Sequence, residues 1–435
     1  MKNVNQYVMK DSGVQWIGQV PEHWEVCKVK NICTYVNRGC TPNYVENGTY
    51  YAMNQATFSK GFLDYSSLKF TTENRKSAQV LKQDILLAST GGGVLGKVWY
   101  YNDDVDLFYA VADVIILRVN PKEIDARYLY YDLSIKYQLM NALFVNGSTN
   151  QIHLQRDLLK NHYIQCPPLS EQRAIADWLD AKCSDIDAAI ELQQRMIDKL
   201  KAYKTAVIHQ AVTKGLDKNL KPRDLKDSGI KWLGMIPKHW DILRAKNIFV
   251  RKNRLVREED ETITCFRDGQ VTLRKNRRSD GFTEAVKEIG YQGVRIGDLV
   301  IHQMDAFAGA IGVSDSDGKS SPVYICLRPK IENCINQYYA YLLREMARAG
   351  FIRALYRGIR ERSTDFRFET FANVSLPVPT LEEQRDIIDY IDAKCADIDA
   401  TIALKEQKQE KLKAYKKTII FEYVTGKKQV ANINK

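Results

Sequence analysis

Residues 180–190 read DAKCSDIDAAI and residues 392–402 read DAKCADIDATI: nine of eleven letters coincide at an offset of 212. Other repeats surround the pair. KLKAYK occurs at 199–204 and again at 411–416. Upstream, Asp11-Ser-Gly-Val-Gln-Trp-Ile-Gly with Pro21-Glu-His-Trp24 returns as Asp227-Ser-Gly-Ile-Lys-Trp-Leu-Gly with Pro237-Lys-His-Trp240, at an offset of 216. A repeat of this length fixes the architecture before any local reading. The 435-residue chain is two halves, each a lead-in, a variable stretch and a closing block. Between the matched ends, residues 25–168 and 241–380 do not align. A shared frame carrying two different readers is the reading that follows.

The closing blocks read as long helices. Neither Ser170–Lys214 nor Leu381–Thr425 contains Gly or Pro, and each stops at a glycine, Gly215 or Gly426. Thr380 with Glu383 fits a capping box, and Ser170 a plain N-cap. Apolar residues recur at spacings of 3 and 4 through Ile175, Leu179, Ile186, Ile190, Ile197, Leu200, Val207 and Ala211. Ile387, Ile391, Ile398, Ile402, Leu412, Ile419 and Tyr423 repeat the pattern, with the period of a coiled-coil seam. At ~1.5 Å per residue each block makes a rod of about 65–70 Å. Acids crowd the front of each rod (Asp177, Asp180, Asp185 and Asp187; Asp389, Asp392, Asp397 and Asp399) and bases the back (Lys199, Lys201 and Lys204; Lys411, Lys413 and Lys416). Parallel pairing would set acid beside acid, so the expected packing is antiparallel, as a pseudo-twofold internal repeat requires.

Composition narrows the class. Hydrophobic residues make up 45% and charged residues 27%, ordinary for a globular protein. The N-terminus lacks the apolar core of a signal peptide, and no apolar run approaches the roughly 18 residues of a membrane span. Nine scattered cysteines without a C-x-x-C pair point away from disulfides and zinc, toward a reducing cytoplasm. Net charge is +11; the two rods hold 17 acids and 15 bases, so the rest of the chain carries +13. That excess fits nucleic acid.

Each variable region mixes strand-like runs (VWYY at 98–101, VIILRV at 114–119, DLVI at 298–301) with helical stretches such as Tyr338–Met346. The fold class expected is α+β, with two α/β domains joined by two long antiparallel coiled-coil helices. The boundaries are 1–168, 169–215, 216–380, 381–426 and a tail at 427–435. Candidate DNA contacts are Lys97; Asn146, Ser148, Thr149, Asn150 and Gln151 of FVNGSTNQIHLQ; Arg274, Lys275, Arg277 and Arg278; and Arg353, Arg357, Arg360 and Arg362. Arginine can take guanine in two hydrogen bonds, Asn or Gln can pair adenine, and other bases neutralise phosphate. GGGVLGK at 91–97 has the spacing of a phosphate-binding loop. Yet Val98 stands where a Ser or Thr would hold magnesium, and β-prone residues follow rather than a helix. A tight glycine turn with Lys97 near a phosphate is the better reading. The histidines of P-x-H-W read as packing residues beside the tryptophans.

The doubled W-x-G-x-x-P-x-H-W lead-in and the P-P-L-S-E-Q-R and P-T-L-E-E-Q-R helix starts resemble the specificity subunits of Type I restriction–modification systems. NGSTNQI at 146–152 and GDLVI at 297–301 are similar to pieces of that family's target-recognition domains. The resemblance covers nearly the whole chain. It implies two domains that each read half of a bipartite, asymmetric double-stranded DNA site. It also implies helices that space the half-sites, two modification (adenine methyltransferase) subunits docked on them, and restriction subunits joining the complex. It implies no catalytic residues, no metal and no cofactor in this chain. Other readings stay open: the specificity partner of a related non-Type I methyltransferase or nuclease, a coiled-coil scaffold for protein partners, or an autonomous enzyme using GGGVLGK.

Overall fold

The computed structural model describes residues 7–91, 93–105, 107–136, 153–217, 219, 221–277, 288–355 and 366–430, with the backbone of Val145 and Asn146. Both closing blocks are uninterrupted helices, a central one (Leu169–Lys214) and a C-terminal one (Leu381–Val424). The capping box at the C-terminal helix forms: Thr380 N donates to Glu383 Oε2 at 3.0 Å, and Glu383 N to Thr380 Oγ1 at 3.3 Å. Ser170 is not an N-cap. The central helix already starts at Leu169, and the Pro168 carbonyl accepts from the amides of Glu171 and Gln172. Pro168 therefore stands where Thr380 stands in the other copy. Its missing N–H costs nothing in the first turn.

The chain divides into two compact units, Met1–Gln193 with Gln407–Lys435, and Gln194–Glu406. The division falls inside both long helices rather than at their ends, so each unit holds one half of each. In the first unit Trp178 stacks on Tyr423 with ring centroids 4.0 Å apart, and Lys416 Nζ reaches Asp187 at 2.6 Å. Gln409 Nε2 donates to the Ile190 carbonyl at 3.2 Å. In the second unit Lys204 reaches Asp399 at 2.6 Å, and Ile197 packs with Ile398 and Ile402. Partner numbers rise along one helix as they fall along the other, so the halves lie antiparallel within each unit. Exposed acid–base pairs such as these contribute little singly. Burial of the isoleucines supplies most of the stabilisation, at roughly 1.5–3 kcal/mol per side chain.

The body of the first unit is an antiparallel sheet of β2 (Cys33–Arg38), β3 (Ile85–Ala88), β4 (Val98–Tyr100) and β5 (Val114–Val119), in the order β2-β5-β3-β4. Helix α1 (Ala126–Ile135) packs beside it, and β1 (Glu25–Lys28) pairs with β6 (Tyr163–Cys166) next to the helix start. The second unit repeats the plan with unlike residues. Strands β8 (Phe249–Arg251), β9 (Leu299–His302), β10 (Ile311–Val313) and β11 (Tyr324–Pro329) run in the order β8-β11-β9-β10. There α2 (Asn336–Arg348) replaces α1, and β7 (Asp241–Arg244) pairs with β12 (Ser375–Val378). Thus the two middles that fail to align share one topology. They differ in what is added: the first has a second four-stranded sheet (Tyr44–Val45, Tyr50–Met53, Lys69–Thr71, Phe108–Ala110). The second has a hairpin, Ile263–Cys265 with Val271–Leu273, and an antiparallel strand pair, Gln292–Val294 with Gly318–Ser320.

The repeated letters prove to be the joints of the frame. Gln172 is buried and accepts from the Asp125 amide at 2.7 Å while donating to the Pro167 carbonyl; Gln384 does the same with Ile335 and Pro379. His23 Nε2 lies 2.8 Å from Glu171, and His239 Nε2 lies 2.8 Å from Glu383. Asp11 and Asp227 each accept from the following glycine amide at 2.9 Å. Gly426 takes a left-handed φ of 69°, and a Cβ there would stand 2.4 Å from Pro21 Cγ, over the buried Trp24. The end of the chain thereby closes on its own beginning within the first unit.

One buried group gives this unit a pH dependence. His162 is 2% exposed and stacks on Trp16 with planes 9° apart. Burial, reinforced by the Lys136 ammonium, pushes its pKa down to about 3. The fold therefore holds it neutral, while the unfolded chain takes up a proton below about pH 6.5. Stability is lost as pH falls through that value, at up to about 1.4 kcal/mol per pH unit. Urea unfolding at pH 7.5 and pH 5 should differ by about 2 kcal/mol more in the wild type than in His162→Phe.

Candidate nucleic-acid interface

GGGVLGK is the hairpin between β3 and β4. Gly96 N donates to the Ala88 carbonyl at 2.8 Å and Ala88 N to the Lys97 carbonyl at 2.9 Å, so the chain leaves the glycines as a strand. A phosphate-binding loop needs a helix there, whose amides and dipole face the anion. Lys97 Nζ donates to the Ser59 carbonyl at 2.9 Å, which holds its ammonium at the base of the turn.

The arginine cluster of the second unit is less open than the sequence suggested. Arg274 and Lys275 lie on a short turn after Val271–Leu273. Lys275 pairs with Glu261 at 2.7 Å; Arg277 pairs with Asp268 at 2.7 Å and lies 4.2 Å from the Phe266 ring centroid. Arg353, in the turn of helix Phe351–Ala354, lies over the Phe307 ring at 5.1 Å. Asn146 stands on the strand Val145–Asn146, paired with His153–Leu154. Its side chain, and all of Ser148, Thr149, Asn150, Gln151, Arg278, Arg357, Arg360 and Arg362, lie outside the described residues.

No sequence motif announces a cleft of about 470 Å³ in the first unit, lined by Asn37, Arg38, Gln155 and Arg156 among others. Arg156 Nη1 donates to Asn37 Oδ1 at 3.0 Å, and Arg38 Nη2 to the Leu154 carbonyl at 2.9 Å. The register of the second unit follows from two matching bonds, Leu154 N to the Ser89 carbonyl and Phe366 N to the Gln303 carbonyl. Arg367 and Phe368 then occupy the places of Gln155 and Arg156, and the Arg251 guanidinium lies 5.9 Å from the Phe368 ring. One position in the frame thus carries an amide–guanidinium pair in one unit and a cation on an aromatic in the other. Both can meet nucleic acid, by different contacts.

The DAKC phrases are not a reactive centre. Cys183 is buried, and burial pushes its thiol up, as it does that of Cys395, so neither is the readily ionised thiolate a nucleophile needs. Among the described residues no group of His, Cys, Asp and Glu is placed to hold a metal ion, and no helix is long and apolar enough to cross a membrane.

The model of the Type I restriction modification DNA specificity domain matches residues 21–202 and 294–414. The chain belongs to this specificity-domain family. The two matched stretches fall one in each half of the chain, and each runs into a long helix. A putative type I restriction enzyme specificity subunit, MjaX, of Methanocaldococcus jannaschii is 23% identical over 95% of this chain and 96% of its own length. The EcoBI specificity subunit of Escherichia coli is 22% identical over 77% of this chain and 76% of its own. Among solved structures, a chain from work on complex assembly and conformational transition of the type I R-M system superposes with a TM-score of 0.66. It is 16% identical and covers 93% of this chain and 98% of that one. The HsdS subunit from Thermoanaerobacter tengcongensis, also 16% identical, gives a TM-score of 0.51 over 94% and 98%. At these identities the superpositions speak for the specificity-subunit fold, and the sequence match for the family.

Proposed function

We propose that the chain is the DNA-recognition subunit of a Type I restriction–modification complex, reading a bipartite, asymmetric site with one half-site per unit. The observation that carries this reading is one frame built twice with different side chains at equivalent surface positions. Identical readers would give a symmetric site; unlike ones give an asymmetric one. Lys97, Asn146, Ser148, Thr149, Asn150 and Gln151, with Arg274, Lys275, Arg277 and Arg278 and the cations at 353, 357, 360 and 362, are the proposed contacts. The chain itself performs no catalysis: two methyltransferase subunits modify adenine, and restriction subunits cut. The long helices, as an antiparallel coiled coil, set the spacing between half-sites.

The outward face of those helices supports docking of two copies of one partner. Ala181, Asp185, Ala188 and Leu192 are exposed and follow at spacings of 4, 3 and 4, one face of a helix. Ala393, Asp397, Ala400 and Leu404 repeat that face letter for letter, also exposed. Each copy of the face presents one exposed leucine at the same place, 46% exposed at Leu192 and 67% at Leu404, which an apolar contact with a partner would cover. Genomic N6-adenine methylation, mapped in cells with the methyltransferase subunit and with or without this chain, tests the reading. A split motif methylated only when the chain is present supports it, and the absence of such a motif rejects it.

A further inference from the structure

Lys204, Arg267, Phe307, Arg344 and Arg348 line a cleft of about 370 Å³ in the second unit. Three of its cations already hold a carboxylate: Lys204 pairs with Asp399, Arg267 with Asp305 at 2.9 Å, and Arg348 with Glu345. Arg344 holds none; among the described residues it has neither an acid nor a hydrogen-bond partner. Its guanidinium lies against the Gly269 backbone, where a Cβ would come within 2.5 Å, and Gly269 takes a left-handed φ of 92°. A half-buried guanidinium without a counter-ion is costly unless something beyond the described residues satisfies it.

The first unit lacks the feature. Tyr128 and Tyr131 of α1 bond Val424 and Asp180, as Tyr338 and Tyr341 of α2 bond Val212 and Asp392. That register sets Ser134 opposite Arg344, and Ser134 Oγ donates to its own helix at the Tyr131 carbonyl.

We propose that this cleft is an anion site that receives one phosphodiester of duplex DNA, present in the second unit alone. The proposal rests on the DNA-recognition reading above. Four cations against three carboxylates leave one positive charge, which one phosphodiester matches. The guanidinium fork suits two phosphate oxygens, and the cleft is large enough for the attached sugar, which Phe307 can face. Arg353, which lies over that same Phe307 ring, extends the basic surface.

The test uses the assembled complex with its methyltransferase subunits and a duplex bearing the methylated motif, with affinity measured over a range of sodium chloride. Arg344→Ala should weaken binding roughly tenfold at low salt and reduce the slope of log Kd on log salt by about 0.9, without changing the sequence methylated. Arg344→Lys should restore the slope, and Ser134→Ala should leave it unchanged. Arg344→Gln repeats the test with a longer neutral side chain, and circular dichroism checks folding of each variant. An unchanged slope and affinity in a folded Arg344→Ala complex overturns the phosphate site. Loss of methyltransferase subunits with the slope unchanged assigns the arginine to a protein carboxylate instead. If the wild-type complex shows no salt-dependent DNA binding, the DNA-recognition reading itself fails, and this site with it.

Discussion

Asp298→Ala should cost the second unit about 3–5 kcal/mol, a large fraction of the roughly 5–15 kcal/mol that holds a domain folded. The carboxylate is fully buried at the start of β9 and serves three groups: the Arg254 guanidinium, the Arg328 guanidinium and the Arg295 amide at 2.9 Å. Removing it leaves two guanidiniums facing each other and a buried amide without an acceptor. Asp84, also fully buried, does the same work in the first unit at the start of β3, holding Arg118 at 2.7 Å and the Leu81 amide at 2.8 Å. Burial raises the Asp84 pKa, and the Arg118 guanidinium opposes the rise. Asp84→Ala should cost less, about 2–4 kcal/mol, because it strands one guanidinium rather than two. Urea unfolding of each variant measures both numbers. Equal and small losses would mean that the paired charges are not what fixes the sheet.

The second large effect is on assembly. Leu192→Glu combined with Leu404→Glu should abolish capture of the methyltransferase subunits, weakening each docking by about 2 kcal/mol or more, or at least thirtyfold. Both leucines point away from the buried isoleucines, so the substitutions add charge to an already solvated face and folding should be unaffected. Either substitution alone should leave one partner bound, giving a complex of intermediate mass. Size-exclusion chromatography with light scattering distinguishes the cases. Full occupancy by the double variant would remove this face from the assembly.

The letters that repeat were legible because each has a local or strongly periodic cause. The helix seam, the Thr380–Glu383 box and the stops at Gly215 and Gly426 follow from spacing and backbone chemistry. The joints made by Gln172, Gln384, Glu171 and Glu383 were visible as repeats but not as bonds. Their partners lie dozens to more than a hundred positions away, and pattern reading reaches only a few residues. Ser170 misled for a related reason: an N-cap residue type one place inside a helix looks the same in sequence as one at its edge. The shared topology of the middles was illegible because a sheet needs burial and register, not particular letters, and Asp84 and Asp298 sit among otherwise dissimilar neighbours. For the basic clusters, sequence counts charges but not their partners. Glu261 and Asp268 engage Lys275 and Arg277 across a hairpin, while Arg344, which no cluster announced, has no counter-ion among the described residues.

If two unlike readers share one frame, exchanging one reader should alter only its own half-site. Genomic N6-adenine methylation is mapped with the wild-type chain and with a chimera whose residues 241–380 come from a relative of different specificity. One half of a split motif should change, while the other half and the spacer stay as they were. A motif that changes throughout, or one continuous sequence in both maps, would contradict it.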